Sequence, residues 1–278
     1  MNNKFLLFII LVFGIESIAQ KPKGALFIIG GGGRPPELMK AMLNTAQLGE
    51  RDYIIVLPMS SSQPDSAYYY FKQSLNGLTS SPVINFSFSE TTNHFQPWLD
   101  SLRNAKLVFI TGGDQSRFMK SVLNTLVFNA IHDAYKNGAT IAGTSAGAAV
   151  MSKYMITGNE LIGNQRYQST FVKVWQNNIE LEQGLGLLEN VVVDQHFIAR
   201  SRYNRLLSVI AKFPDHPAVG IDEATAIIVK GRKATVTGKS QVVVISKPKR
   251  LRVTDRGLIK FENLRFSMYT DGDSFNIK

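Results

Sequence analysis

Short apolar runs, each closed by a glycine or polar turn, constrain this chain more than any other feature. Residues 24–29, 53–57 and 106–110 are almost wholly apolar, and 140–142 is a shorter version. Runs of this length and β-branched content read as strands buried on both faces, the habit of parallel sheets. Helical patterns lie between them at 38–43, 66–76, 94–104 and 119–135, the last broken near Asn124. Parallel strands need crossovers, and helices supply them on both faces of the sheet. The expected fold is α/β, a three-layer sandwich around a mostly parallel central sheet. Residues 226–229, 234–237 and 242–245 read as short strands between turn signals, and predict extra antiparallel strands toward the C-terminus. With 278 residues, 44% of them hydrophobic, the chain can build one large domain, expected over 20–278. The polar stretch 157–184 reads as a surface excursion or insertion near the site.

One turn carries a chemical signal. Gly143-Thr144-Ser145-Ala146-Gly147 fits G-x-S-x-G, between a strand-like run and the good helix opening Ala148-Ala149-Val150-Met151. The pattern sets a serine on a sharp strand-to-helix bend with its hydroxyl outward, among N–H groups that suit an oxyanion. A small-residue turn with no chemistry has the same composition, so the serine needs a base and the base an acid. Of four histidines, His132 falls mid-helix, His94 before a helix and His216 in a Pro-Asp-His-Pro turn. His196 follows the apolar run 191–193, and is expected at the same sheet edge as Ser145. Asp222 and Glu223 close the next strand, and either could hold the imidazole. The order serine, histidine, acid differs from that of the α/β-hydrolases.

Arg200, Arg202 and Arg205 stand at a helix start, where the dipole prefers acids. They predict either a substrate carboxylate, which guanidiniums bind through two parallel hydrogen bonds, or pairing with a local acid such as Asp194. The run Gly30-Gly31-Gly32-Gly33-Arg34-Pro35 follows the first strand but makes a poor dinucleotide fingerprint. It reads as a tight turn near a ligand pocket.

The first residues are a separate matter. Lys4, the apolar run 5–15 and Ser17-Ile18-Ala19 resemble a secretory signal peptide over 1–19, cleaved after Ala19. A membrane anchor is the alternative, but the run is shorter than the roughly 20 residues a span needs. No membrane span is expected after its removal. The chain has no cysteine, which excludes disulfides, thiolate nucleophiles and a lipid-modified cysteine. A net charge of +10 favours acidic partners. The basic cluster 247–252 lacks interleaved aromatics and any nucleic-acid motif, so no nucleic-acid partner is expected. Export without disulfides fits a bacterial periplasm or the cell exterior.

Four blocks together carry a resemblance. Residues 110–115, 143–149, 194–206 and 220–226 resemble, in order, the signature blocks of cyanophycinases, peptidases of family S51. Gly30 to Pro35 departs from the Gly-Gly-Ala-Glu-Asp type of run in the family's first block. The resemblance implies a flavodoxin-like fold, similar to class I glutamine amidotransferases. It implies Ser145 as nucleophile, His196 as base and Glu223 as orienting acid, with the N–H groups of Gly113 and Ala146 as oxyanion hole. It also implies that Gln115, Gln195, Arg200, Arg202 and Arg205 line the substrate pocket. Such relatives use no metal or cofactor, are often homodimers, and cleave cyanophycin, a polyaspartate carrying arginine, to β-Asp-Arg dipeptides. The implied activity is hydrolysis at aspartyl residues, in cyanophycin-like polymers or β-aspartyl (isoaspartyl) peptides. An α-aspartyl dipeptidase of the same fold, or a non-catalytic protein that binds acidic peptides, are the alternatives.

Overall fold

The computed structural model describes residues 22–163 and 170–277. The expected signal peptide lies outside them. The first half alternates as anticipated: β1 (Ala25–Ile29), α1 (Pro36–Ala46), β2 (Ile54–Leu57), α2 (Pro64–Ser74), β3 (Val83–Asn85), α3 (Gln96–Asn104) and β4 (Leu107–Ile110). Then come α4 (Gln115–Val122), α5 (Leu126–Asn137), β5 (Thr140–Thr144) and the short α6 (Ala146–Ala149). The break between α4 and α5 falls at Asn124, which takes a left-handed φ of 61°.

Strands β1, β5, β4, β2 and β3 are mutually parallel and lie side by side in that order. Side chains on successive strand residues point to opposite faces, so each strand feeds two cores. Phe27, Ile29, Ile54, Val56, Leu107 and Phe109 pack under α1 and α2 against Leu38, Met42 and Phe71. Leu26, Ile28, Ile55, Leu57, Val108 and Ile110 pack on the other side with Leu99, Leu102, Phe118, Val127 and Ile131 of α3, α4 and α5. This double burial explains the continuous apolar runs and produces the three layers.

The second half departs from simple continuation. It contains β6 (Tyr154–Glu160), β7 (Ile179–Gln183), β8 (Val192–Gln195), α7 (Tyr203–Lys212), β9 (Ala218–Ile221), β10 (Thr225–Lys230), β11 (Lys233–Gly238) and β12 (Val242–Lys249). It closes with β13 (Arg252–Val253), β14 (Ile259–Lys260), β15 (Asn263–Tyr269) and β16 (Ser274–Asn276). Antiparallel β10, β11 and β16 extend the main sheet beyond β1. Strands β15, β12, β9 and β8 form a separate four-stranded sheet. The expectation that His196 shares a sheet edge with Ser145 is therefore corrected, because β8 pairs with β9 and not with β5. Residues 222–224 carry the chain from β9 in the second sheet to β10 in the main one, so Glu223 sits at a crossing between sheets.

The stretch expected as a surface excursion is partly an antiparallel hairpin of β6 and β7. Its Ile156, Phe171 and Ile179 are buried against Val192, Phe197 and Leu206. Residues 164–169 of that stretch lie outside the described residues.

Candidate active site

The bend after β5 is as tight as its composition demands. A Cβ on Gly143 would meet the Gly147 carbonyl oxygen at 2.2 Å, and one on Gly147 would meet that of Ile110 at 2.3 Å. Only glycine lets the backbone close at both positions. Ser145 then adopts φ 53°, ψ −112°, immediately before α6. His196 and Ala224 also have positive φ, at 48° and 51°. Such conformations cost on the order of 1–3 kcal/mol each and persist only where surrounding contacts over-determine them.

Those contacts are visible. Ile29 pairs with Thr144, and the Ser145 N–H donates to the Ile29 carbonyl at 3.1 Å. The His196 N–H donates to the Gly30 carbonyl at 2.6 Å, and the Ala224 N–H to that of Gly31 at 2.9 Å. The glycine loop after β1 thus pins both segments of the second half against the elbow. A Cβ on Gly31, whose φ is +108°, would stand 2.3 Å from the His196 ring. The tight-turn reading of this loop holds, and the reason is close approach to the imidazole.

The outcome is a hydrogen-bonded row. Ser145 Oγ lies 2.9 Å from His196 Nε2, and His196 Nδ1 lies 2.6 Å from Glu223 Oε1. The carboxylate accepts from Nδ1–H, which leaves Nε2 as the acceptor for the hydroxyl proton. The sequence left two acids open, and the geometry separates them. Asp222 Oδ1 accepts the N–H groups of Ile198 and Ala199, and its Oδ2 accepts the Ser240 hydroxyl. Asp222 therefore fastens the turn that follows His196, a positioning role that its place in the sequence did not reveal.

His196 is 8% exposed. Burial pushes its pKa below the ordinary value, Glu223 opposes this through its hydrogen bond and charge, and the Arg200 and Arg202 charges add to the lowering. The ring is held neutral near pH 7, the form that accepts a proton. Beside Ser145, the Gly112–Gly113 turn approaches so closely that a Cβ on Gly112 would be 3.4 Å from the serine Cβ. The N–H groups of Gly113 and Ala146 make no backbone hydrogen bond among the described residues. Both stand at carboxyl ends of adjacent strands of the parallel sheet, where such folds bind ligands. A cavity of about 300 Å³ opens there, lined by Gly31, Arg34, Ala67, Tyr70, Thr111 and Gly112 together with Ser145 and His196. Sequence reasoning assigned Arg34 and Tyr70 no role. The only signal was an arginine ending the glycine run.

The residues expected to line a substrate pocket divide. Arg200 is exposed, one turn beyond His196. Gln115 is buried and donates from its amide to the carbonyls of Ile156 and Thr157, at 2.9 and 2.6 Å, tying α4 to β6. Gln195 is buried, and its side-chain and backbone oxygens both accept from Arg202. Arg202 and Arg205 have no exposed surface and flank Asp194, at 3.5 and 3.0 Å. For these two the structure shows the second alternative, pairing with Asp194, in place of the substrate carboxylate. A guanidinium sealed from water needs an anion inside the fold, and Asp194 on β8 supplies it. The remaining histidines stand away from the row. His132 contacts the Leu185 carbonyl at 2.8 Å, and His216 packs on Tyr154 and Phe213.

Comparison with known proteins gives the family. The model of peptidase family S51 matches residues 26–237. A cyanophycinase of Trichormus variabilis is 31% identical over 274 residues, covering 93% of this chain and 87% of the relative. One of Geminocystis herdmanii is 35% identical over 179 residues, 62% of each chain. Among solved structures, a peptidase from an acI-B1 Actinobacterium superposes with a TM-score of 0.67 at 18% identity, covering 93% of this chain and 98% of that one. A putative peptidase E protein from Listeria monocytogenes EGD-e gives 0.54 at 15%, covering 78% and 99%. At those identities the solved structures establish the shared fold. The family match spans most of the chain, and the chain therefore belongs to peptidase family S51 and is a hydrolase of peptide bonds.

Proposed function

We propose that this peptidase is of the serine type and cleaves peptide bonds at aspartyl residues through an acyl-enzyme. The substrate class is a cyanophycin-like polymer or β-aspartyl peptide. The observation that carries the reading is the row from Ser145 Oγ through His196 to Glu223, at 2.9 and 2.6 Å. The relatives named as cyanophycinases support the substrate class.

In this mechanism Ser145 Oγ attacks the scissile carbonyl carbon and passes its proton to His196 Nε2. The N–H groups of Gly113 and Ala146 hold the oxyanion. The C–N bond breaks as the imidazolium returns the proton to the leaving amine. Water then attacks the ester, gives a proton to His196, and Ser145 leaves with it. Glu223 remains ionised throughout and fixes the tautomer. Labelling with a fluorophosphonate tests the serine type, since an unreactive Ser145 would remove it. Release of dipeptides from cyanophycin, read beside panels of Asp-X and β-Asp-X dipeptides, tests the substrate class.

Two predictions follow from the geometry around His196. The base works only when neutral, so kcat/KM falls as pH drops through its pKa. Burial lowers that pKa, so the acid limb lies below that of an ordinary imidazole. Arg200→Gln removes a positive neighbour, eases protonation and moves the limb to higher pH. A limb that stays or moves down contradicts the electrostatic account. Gly31→Ala forces a methyl against the ring and is expected to lower kcat by about 100-fold, the scale of a 1 Å misplacement. An unchanged kcat in the folded variant would show that the loop does not set the ring.

Export is part of the proposal. Its support is the charged, apolar and small-residue succession of residues 1–19. N-terminal sequencing of protein from the periplasm or medium should begin at Gln20. The resemblance further implies a homodimer, which sedimentation of the mature chain decides.

A further inference from the structure

We propose that Arg34 is the specificity residue of this site, binding a free carboxylate on the substrate residue that supplies the scissile carbonyl. The inference rests on the proposed aspartyl reading, takes its β-aspartyl arm, where one carboxyl of that residue stays free, and adds to it a residue and a charge.

Arg34 lines the same cavity as Ser145 and His196, on the loop that follows β1. Its place is preset by the chain. Two prolines follow it, and a residue before proline is confined to extended backbone. Pro35 itself is extended, at φ −62°, ψ 154°. The side chain therefore leaves a stiff support.

The guanidinium is also unmatched. Its Nε is buried without a hydrogen-bond partner. The ion pairs among the described residues use Arg103, Arg202, Arg205 and Arg250, and none uses Arg34. Oε1 of the Glu223 carboxylate is held by the His196 ring. Burial lowers the Arg34 pKa, a sign that the charged form has lost solvent without gaining an anion. Desolvating a cation is costly, and a carboxylate returns that cost through two parallel hydrogen bonds. Arg202 and Arg205 show how this fold treats such groups elsewhere, with Asp194 between them. At Arg34 the anion has to come from outside.

The cavity of about 300 Å³ has room for an aspartyl residue beside the serine. An aspartyl residue carries its free carboxylate within a few bonds of its scissile carbonyl, so both groups reach their partners together. In a cyanophycin-like polymer that second carboxyl is amide-bonded to arginine and offers Arg34 no anion, so the unmatched charge favours β-aspartyl peptides.

The test compares β-Asp-Leu with the same dipeptide whose aspartyl α-carboxylate is a carboxamide. In the wild type the amide should lower kcat/KM by about 30-fold, the worth of a charge-assisted bidentate contact. In Arg34→Gln the ratio should collapse toward one, and Arg34→Lys should restore part of it. Ratios taken within each protein cancel any loss common to both substrates. A ratio equal in wild type and Arg34→Gln overturns the proposal. Succinate binding by calorimetry needs no turnover, and succinamide is its neutral control. Affinity should fall about 30-fold in Arg34→Gln, and equal affinity in both proteins would also overturn it. Absence of fluorophosphonate labelling would instead remove the serine mechanism, with the calorimetric result on Arg34 still standing by itself.

Discussion

Ser145→Ala lowers kcat by on the order of 10⁴–10⁶-fold while leaving the unfolding transition in place. The size follows from what remains. The oxyanion donors and the cavity stay, but no hydroxyl stands 2.9 Å from His196 Nε2 to attack. Stability stays because the elbow geometry belongs to the backbone. Gly143 and Gly147 set the close approaches, and alanine at φ 53° bears the same strain as serine. His196→Ala should cost a similar factor. The double variant should cost little more than either single one, because residues that act as a unit lose their function once. Substantial hydrolysis by Ser145→Ala in steady-state assays would defeat the nucleophile assignment.

Asp194→Ala is expected to destabilise the fold by about 3–5 kcal/mol, since it strands two buried guanidiniums. Asp194 is 1% exposed and lies within ion-pair distance of both Arg202 and Arg205, which have no exposed surface. No water can take over the carboxylate's role without opening the packing of β8 against α7. The unfolding midpoint should drop on the order of 10 °C, read by calorimetry or circular dichroism. Arg202 also donates to both oxygens of Gln195, next to His196, so residual activity should fall with stability. An unchanged midpoint with a raised KM would mean that these arginines serve the substrate after all.

The strand runs 24–29, 53–57 and 106–110 were legible because burial on both faces leaves a continuous apolar signature. The elbow was legible because two close backbone approaches leave no alternative to glycine. Ser145 and His196, the proposed nucleophile and base, were picked out by their positions after strands, and Glu223 by the block that contains it. The arginines stayed open between a substrate and Asp194 because an ion pair is invisible in one dimension. Asp194, Arg202 and Arg205 spell the same letters whether the cations face a substrate or a buried carboxylate. Arg34 was passed over for the opposite reason, since nothing near it in the chain announces that no acid will meet it.

What the sequence determined by itself is local: which segments are strands, where the backbone must turn sharply, and which side chains can exchange a proton. The second sheet and the crossing at residues 222–224 came only with the tertiary structure, because strand partners are chosen by packing across long separations. So did the role of Asp222 at a turn, and the contact that puts Glu223, the acid the resemblance implies, on the imidazole. The two acids are adjacent at the turn between β9 and β10, and position along the chain does not separate them. Only the position of the His196 ring decides which carboxylate completes the row.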